Sequence, residues 1–105
     1  PAPRGMPDDY EISRAVVSGA IRRGDGSMQK RTFTVDCHAV AKRSWHASAG
    51  DIDTGCPPSI VAQMIAGGVI VARGVVAPEC AIPVKPFVQA LARRGMRVTV
   101  RAENL

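Results

Sequence analysis

Apolar and polar residues alternate most regularly between residues 28 and 41, as expected for a half-buried β-strand. The apolar face of this segment comprises Phe33, Val35, Cys37 and Ala39. The preceding segment, "YEISRAVVSGAIRR" (10–23), is rich in β-branched residues, and "GDGS" (24–27) supplies glycines suited to a tight turn. The pattern therefore predicts a β-hairpin from about residue 11 to residue 41.

A second pattern, "TGCPPSIVAQMIAGG" (54–68), predicts a short helix over 57–66. Pro57 or Pro58 suits the first helical turn, and the glycine pair after Ala66 suits its end. An apolar stripe is formed by Ile60, Val61, Met64 and Ile65. Because 57–66 contains no charged residue, we expect this helix to be buried on nearly every side, with a second layer or a partner beyond the sheet.

The remaining segments complete an α+β fold. Residues 42–53 are predicted as a polar loop, in which Trp45 is interpreted as a lid over the edge of the core, with ligand stacking as the alternative. Residues 69–83 form a connector, 84–95 a second helix and 96–105 a final amphipathic strand. In that second helix we expect Phe87, Val88, Leu91 and Ala92 to face inward. The prediction is a β-hairpin, two helices and a final strand in an antiparallel-leaning sheet, with the helices packed on one face.

Length and composition fit one domain. The chain has 105 residues, of which 46% are hydrophobic and 22% charged, as in a globular protein. Residues 1–10 are expected to be a flexible arm or linker and 11–105 a single domain. No apolar run approaches the length of a membrane span, and no signal peptide is recognised. Three cysteines at unpaired spacings favour reduced thiols, no metal site and a cytoplasmic location.

The net charge of +5 permits a polyanionic partner without requiring one. Basic residues cluster near the hairpin turn and around the junction of the last helix and strand: Arg22, Arg23, Lys30, Arg31, Arg93, Arg94, Arg97 and Arg101. Only four aromatic residues accompany them, so a solvated face is favoured over a nucleic-acid interface.

The candidate ligand-binding residues are Thr54 and Gly55. They would precede the free N–H groups at the start of the predicted helix, where a phosphate or carboxylate could bind, and a capping turn without ligand is the alternative. No catalytic residue is identified, since Cys37 and His38 are adjacent in a strand and point to opposite faces. No glycine-rich phosphate loop or metal-binding motif occurs either.

The second half resembles the C-terminal region of the saccharopine dehydrogenase (saccharopine reductase-like) family. The segments that carry the resemblance are "DTGCPPSIVAQMIAGG" (53–68) and "GVVAPECAIPVKPFVQALARRGM" (74–96). They match a T-G-x-P helix start, a G-V-x-x-P-E turn and a P-x-P-F helix ending in R-G. The matching positions are Thr54, Gly55, Pro57, Gly74, Val75, Pro78, Glu79, Pro86, Phe87, Arg94 and Gly95. The hairpin segment "VSGAIRRGDGSMQKRTFTV" (17–35) also resembles the family's strand pair in pattern, so the resemblance covers roughly residues 11–96. Pro83 departs from the family, in which aspartate is common.

The resemblance implies a substrate-pocket and subunit-contact domain of an NAD(P)-dependent oxidoreductase, near whose ligand Thr54 and Gly55 would lie. The cofactor would be held by a Rossmann domain of a longer parent chain, so we expect no cofactor and no catalysis in these 105 residues alone. The expected partner is that Rossmann domain or a second copy. The alternatives are a self-contained homo-oligomerising binding module and a small basic nucleic-acid-binding domain.

Overall fold

The computed structural model describes residue 5 and residues 8–104, and it contains a three-stranded antiparallel sheet in the order β1-β2-β3. The strands are β1 (Tyr10–Arg22), β2 (Met28–Val40) and β3 (Arg97–Asn104). Tyr10 lies opposite Val40 and Arg22 opposite Met28, so the predicted hairpin is confirmed along its whole length. The sheet and its helices confirm the α+β fold.

The first helix, α1, spans Ala49–Ala66 and starts eight residues before the predicted position at Pro57. Its N-terminus is a capping box: the Asp51 N–H donates to Ser48 Oγ at 3.1 Å, and the Ser48 N–H donates to Asp51 Oδ2 at 2.8 Å. A 3-10 turn, Arg43–Trp45, precedes it. The prediction of a loop over 42–53 is therefore wrong for its second half, and Pro57 and Pro58 lie inside the helix.

The buried stripe of α1 follows a spacing of four residues: Ile52, Cys56, Ile60 and Met64. Val61 is half-buried, and Ile65, expected in the stripe, is 57% exposed. The prediction that this helix is buried on nearly every side is therefore wrong. α1 buries one stripe of residues, and the mostly small or apolar residues on its opposite side are exposed.

Two further helices, α2 (Pro78–Ala81) and α3 (Val84–Arg93), follow an extended connector. Ala90 and Leu91 of α3 are buried, whereas Ala92, predicted to face inward, is exposed. Gly95 has φ of 84°, the left-handed conformation expected where the chain leaves this helix. Met96, 1% exposed, then leads into β3, whose arginines point away from the core as predicted.

The core lies between α1, α3 and one face of the sheet, here called the inner face. That face carries the odd-numbered residues of β1 and β2 together with Val98, Val100 and Ala102 of β3. The helices pack against Cys37, Ala39 and Val98, which lie at one end of the face. The even-numbered residues of β1 and β2 form the outer face.

The hairpin makes the molecule long, with extents of 64 × 35 × 22 Å. Its radius of gyration is 17.7 Å, against roughly 13 Å for a compact domain of this length.

The last residues of the predicted arm (1–10) belong to the folded domain. Tyr10 belongs to β1, and Asp9 accepts hydrogen bonds from the backbone N–H groups of Ala41 at 2.9 Å and Ala49 at 3.0 Å. Residues 1–4 and 6–7 of that arm, and Leu105, lie outside the described residues.

Candidate functional site

Thr54 and Gly55, the two predicted ligand-binding residues, lie within α1 and are exposed. Because the helix begins at Ala49, the free N–H groups expected beside them are not there, and the helix-terminus argument for an anion site does not apply. Their assignment as ligand-binding residues now rests on the family resemblance alone and stays a prediction.

The adjacent prolines remove two backbone hydrogen-bond donors from this turn of α1. Pro57 and Pro58 have no N–H, so the carbonyl oxygens of Asp53 and Thr54 have no donor four residues ahead. The exposed backbone here presents hydrogen-bond acceptors rather than donors. The helix backbone at this turn therefore lacks the free N–H groups that would bind a phosphate.

Gly55 also lines an open cleft of about 320 Å³ between the 3-10 turn, α1 and the end of α3. Trp45, Asp51, Ser59 and Arg94 bring an aromatic ring, two opposite charges and a hydroxyl to the same cleft. Trp45 is 49% exposed, so it does not close the core as a lid. The Lys42 ammonium stands 3.5 Å from the centre of its ring, a cation–π contact.

Both charged groups of the cleft already serve the fold. Asp51 caps α1, and its hydrogen bonds from Ser48 hold the pKa of this carboxyl below its usual value. Arg94 donates to the Ala90 carbonyl at 2.8 Å and to Gln63 Oε1 at 3.2 Å. Cys56 is buried, and Ser59 Oγ accepts a bond from Gln63 at 3.2 Å. In this part of the described chain, neither Cys56 nor Ser59 has a hydrogen bond to a base of the kind that activates a nucleophile.

The inner face contains a larger surface that the sequence analysis missed, here called the distal patch. It consists of Val17, Ile21, Phe33, Val35 and Val100, with Val17 opposite Phe33 and Val35 opposite Val100. Val17 is 63% exposed and Val100 62%, although both continue the face that forms the core. Sequence alternation had identified the apolar face of β2 correctly, but the helices cover only its Cys37 and Ala39 end.

Strand and helix lengths could have indicated this mismatch. Thirteen residues of β-strand extend about 44 Å, whereas the helix predicted over 57–66 would extend about 15 Å. Even the observed 18-residue α1 reaches only about 27 Å. A hairpin of this length therefore exposes apolar surface unless something else covers it.

A second apolar surface lies at the connector after α1. Val71 and Val75 are 78% and 107% exposed, and a groove of about 180 Å³ beside them is lined by Val61, Ile65, Ile70 and Ile82. Neighbouring exposed apolar surfaces of this kind are typical of contact regions.

The outer face contains an ion pair between Arg14 and Asp36, and it also exposes the side chains of Tyr10, Ile12, Val16 and Val40. Asp36 is 6% exposed although no helix packs on this face, and Arg14 donates to both of its carboxylate oxygens. Hydrogen bonds from Arg14, the charge of that guanidinium and those of Arg101 and His38 hold the pKa of Asp36 below its usual value.

On the inner face, burial raises the pKa of the Cys37 thiol, and the nearby Asp53 carboxylate adds to the shift, which disfavours the reactive thiolate.

The basic residues that cluster in the sequence converge only in part: Arg22, Lys30, Arg97 and Arg101 share the outer face with Arg14 and His38. Lys30 and Arg31 lie on opposite faces of β2, and Arg31 donates to Asn104 Oδ1 at 3.0 Å. Arg23 donates to Gln29 Oε1 at 3.1 Å, and Arg94 is held beneath α3 as described above.

Among residue 5 and residues 8–104, no cluster of three His, Cys, Asp or Glu side chains could hold a metal ion. In the same residues, no helix is long and apolar enough to cross a membrane. Comparison of the chain with protein-family models, with curated proteins and with solved structures gives no significant match. The exposed apolar surfaces and the resemblance of residues 53–96 are therefore the features of this chain that bear on its function.

Proposed function

We propose that this chain is a non-catalytic assembly domain of a saccharopine dehydrogenase-like, NAD(P)-dependent oxidoreductase. The observation that carries the proposal is the distal patch, an apolar continuation of the core face that the chain's own helices leave exposed. In a native protein such a surface is typical of a contact with another domain or subunit.

The oxidoreductase part of the proposal is supported by the resemblance of residues 53–96 to the family. NAD(P) would be held by another domain of the parent enzyme, since the described sheet is antiparallel and its glycine turn, Gly24–Gly26, joins two strands instead of a strand and a helix. The cleft around Gly55 would face the substrate side. The free thiols of Cys37, Cys56 and Cys80 support a cytoplasmic location within the same proposal.

Two measurements test the assembly role. We expect the chain either to self-associate at micromolar concentration in sedimentation velocity or, as a monomer, to bind a hydrophobic dye. Val17→Lys should reduce association or dye binding at least fivefold, because it charges the distal patch. Val40→Lys, the matched control on the outer face, should change it less. A monomer that binds no dye would contradict the assembly role.

The enzymatic context needs a separate test. Immunoblotting and intact-mass measurement of the natural product should find a chain longer by one domain of roughly 100–200 residues. That product, but not residues 1–105 alone, should oxidise an amino-acid-like substrate with NAD(P). Activity of the 105-residue chain by itself would overturn the proposal.

A self-contained homo-oligomerising module is the second candidate, and the exposed strand β1 favours it. A nucleic-acid-binding domain is a third possibility, for which the basic residues of the outer face would be the contact surface. Binding of RNA or DNA that weakens steeply with salt would establish the latter.

A further inference from the structure

Strand β1 forms one edge of the sheet. Two hydrogen bonds at its ends show which of its backbone groups bond to β2 and which point outward. The Arg23 N–H donates to the Ser27 carbonyl at 2.8 Å, and the Ala41 N–H donates to the Asp9 carbonyl at 2.9 Å. Bonding alternates along an antiparallel pair, so the odd-numbered residues of β1 bond to β2. The N–H and C=O groups of the even-numbered residues, from Tyr10 to Arg22, therefore point to the open edge.

We infer that β1 pairs with β1 of a second copy, antiparallel, about a two-fold axis at Val16. This inference rests on the assembly role proposed above and names its partner. An axis perpendicular to the sheet keeps the inner faces of both copies on the same side, and it opposes residues whose numbers sum to 32. This register is the one that pairs all 13 residues of β1, with about 14 backbone hydrogen bonds, two for each bonded pair.

The charges on β1 select the same register. An axis at Arg14 would place Arg14 against its own copy, and an axis at Ser18 would place it against Arg22. Like charges directly opposite one another are destabilising. With the axis at Val16, Arg14 faces Ser18 and Arg22 faces Tyr10 of the second copy. Axes at Ala15 or Val17 avoid the clash but leave two residues at one end of each strand unpaired.

The helices also fit this arrangement. In each copy α1 stands over the start of β1, where the Ser13 hydroxyl donates to Asp53 Oδ2 at 2.9 Å. The second copy's Ser13 would lie opposite Gly19, so its α1 would stand beside Val17 and Ile21. Each copy's helix layer would thus flank the distal patch that the other copy leaves exposed.

The accessible surface area of the chain is large enough to supply an interface between two copies. The accessible surface is 7748 Å², whereas a compact monomer of 11.1 kDa exposes roughly 5,700 Å². The excess of about 2,000 Å² is more than twice the ~800 Å² that each partner contributes to a standard interface.

A cysteine at the axis tests the register. In Val16→Cys, with the exposed Cys80 changed to Ser, the two thiols would meet across a bonded pair about 5.5 Å apart between Cα atoms, within disulfide range. In the matched control, Ser18→Cys, the two positions would be about 14 Å apart. Under mild oxidation we expect the 16–16 disulfide to form at least tenfold faster than the 18–18 disulfide, as quantified by peptide mapping. Equal rates would overturn the inference.

A proline on the open edge provides an independent readout. Ser18→Pro removes an N–H that faces the second copy, so it should weaken self-association at least tenfold while circular dichroism stays unchanged. Self-association that survives Ser18→Pro and shows no 16–16 disulfide would refute this pairing but leave the assembly role intact. A monomer without dye binding would refute both.

Discussion

Arg14 and Asp36 lie directly opposite each other on β1 and β2 and form a two-bond ion pair. Arg14 Nε donates to Asp36 Oδ1 at 2.7 Å, and Arg14 Nη2 donates to Oδ2 at 2.9 Å. The pair joins the edge strand to the central strand on the outer face, where no helix packs. It matches the planar guanidinium fork to a carboxylate, the geometry that makes arginine pairs specific.

This pair predicts a particular response to acid. A depressed pKa means that Asp36 stabilises the fold above the unfolded-state pKa of about 3.9, and that this contribution is lost as the pH falls through the lower folded-state value. We expect Asp36→Asn to lower the melting temperature at pH 7 and to lower it progressively less below about pH 4.

Thermal unfolding by circular dichroism between pH 7 and pH 2 measures this difference. Glu103→Gln removes an exposed carboxylate from the same face and serves as the control. A melting-temperature difference between wild type and Asp36→Asn that is constant over the whole pH range would show that the ion pair does not contribute through its charge.

The capping box at the start of α1 should be measurable as stability. Ser48→Ala removes the acceptor of the Asp51 N–H and should lower the free energy of unfolding by about 1 kcal/mol. Ser44→Ala, at an exposed position in the preceding turn, should change it by less than about 0.5 kcal/mol. Equal effects in urea titrations would mean that α1 does not begin at Ala49.

Two isoleucines on α1 allow its buried stripe to be compared with its exposed side. Ile60 is 2% exposed and Ile65 57%. Ile60→Ala should cost about 2–5 kcal/mol of unfolding free energy, because it leaves a cavity in the core. Ile65→Ala should cost less than about 1 kcal/mol in the monomer. Chemical denaturation of both variants measures the two losses of unfolding free energy. A larger loss for Ile65→Ala would mean that α1 is rotated about its axis so that Ile65 faces the core.

Pro58 distinguishes the observed helix from the one predicted by its sequence pattern. Inside α1, Pro58→Ala restores the N–H that bonds the Thr54 carbonyl, and it should raise the unfolding free energy by up to about 3 kcal/mol. If the helix began at Pro57, the same change would fall in the first turn and would be neutral or destabilising. The sign of the change in a thermal or denaturant titration settles the start of α1.

Local periodicity predicted the hairpin well because one face of β2 meets the core and the other does not. A period of two then appears directly in Phe33, Val35, Cys37 and Ala39, and the turn glycines fix where the strands reverse. The last helix and strand were recognisable for the same reason, since α3 and β3 each bury only one side.

The start of α1 was missed because prolines at 57 and 58 are a stronger local signal than the cap that precedes them. Ser48 with Asp51 three residues later was the available indication, although glutamate or glutamine is the usual partner in such a box. The prolines are tolerated inside the helix because Ile52 and Cys56 before them and Ile60 and Met64 after them pack in the same core.

The cleft and the distal patch depend on tertiary structure and have no local signature. Trp45 and Arg94 are far apart in the chain and meet only because α3 packs beside α1. The distal patch arises from the difference in length between hairpin and helices, which no single segment reveals.

The outer end of the hairpin has fewer neighbours than its base. Among the described residues, pairing with β3 extends to Arg31 opposite Asn104, and Met28–Lys30 pair with β1. A two-stranded ribbon is marginal by itself, so the amide protons near the turn should exchange with solvent fastest and those beside the core slowest. Slowed exchange along the even-numbered amides of β1 would make the hairpin a built-in reporter of whatever docks there.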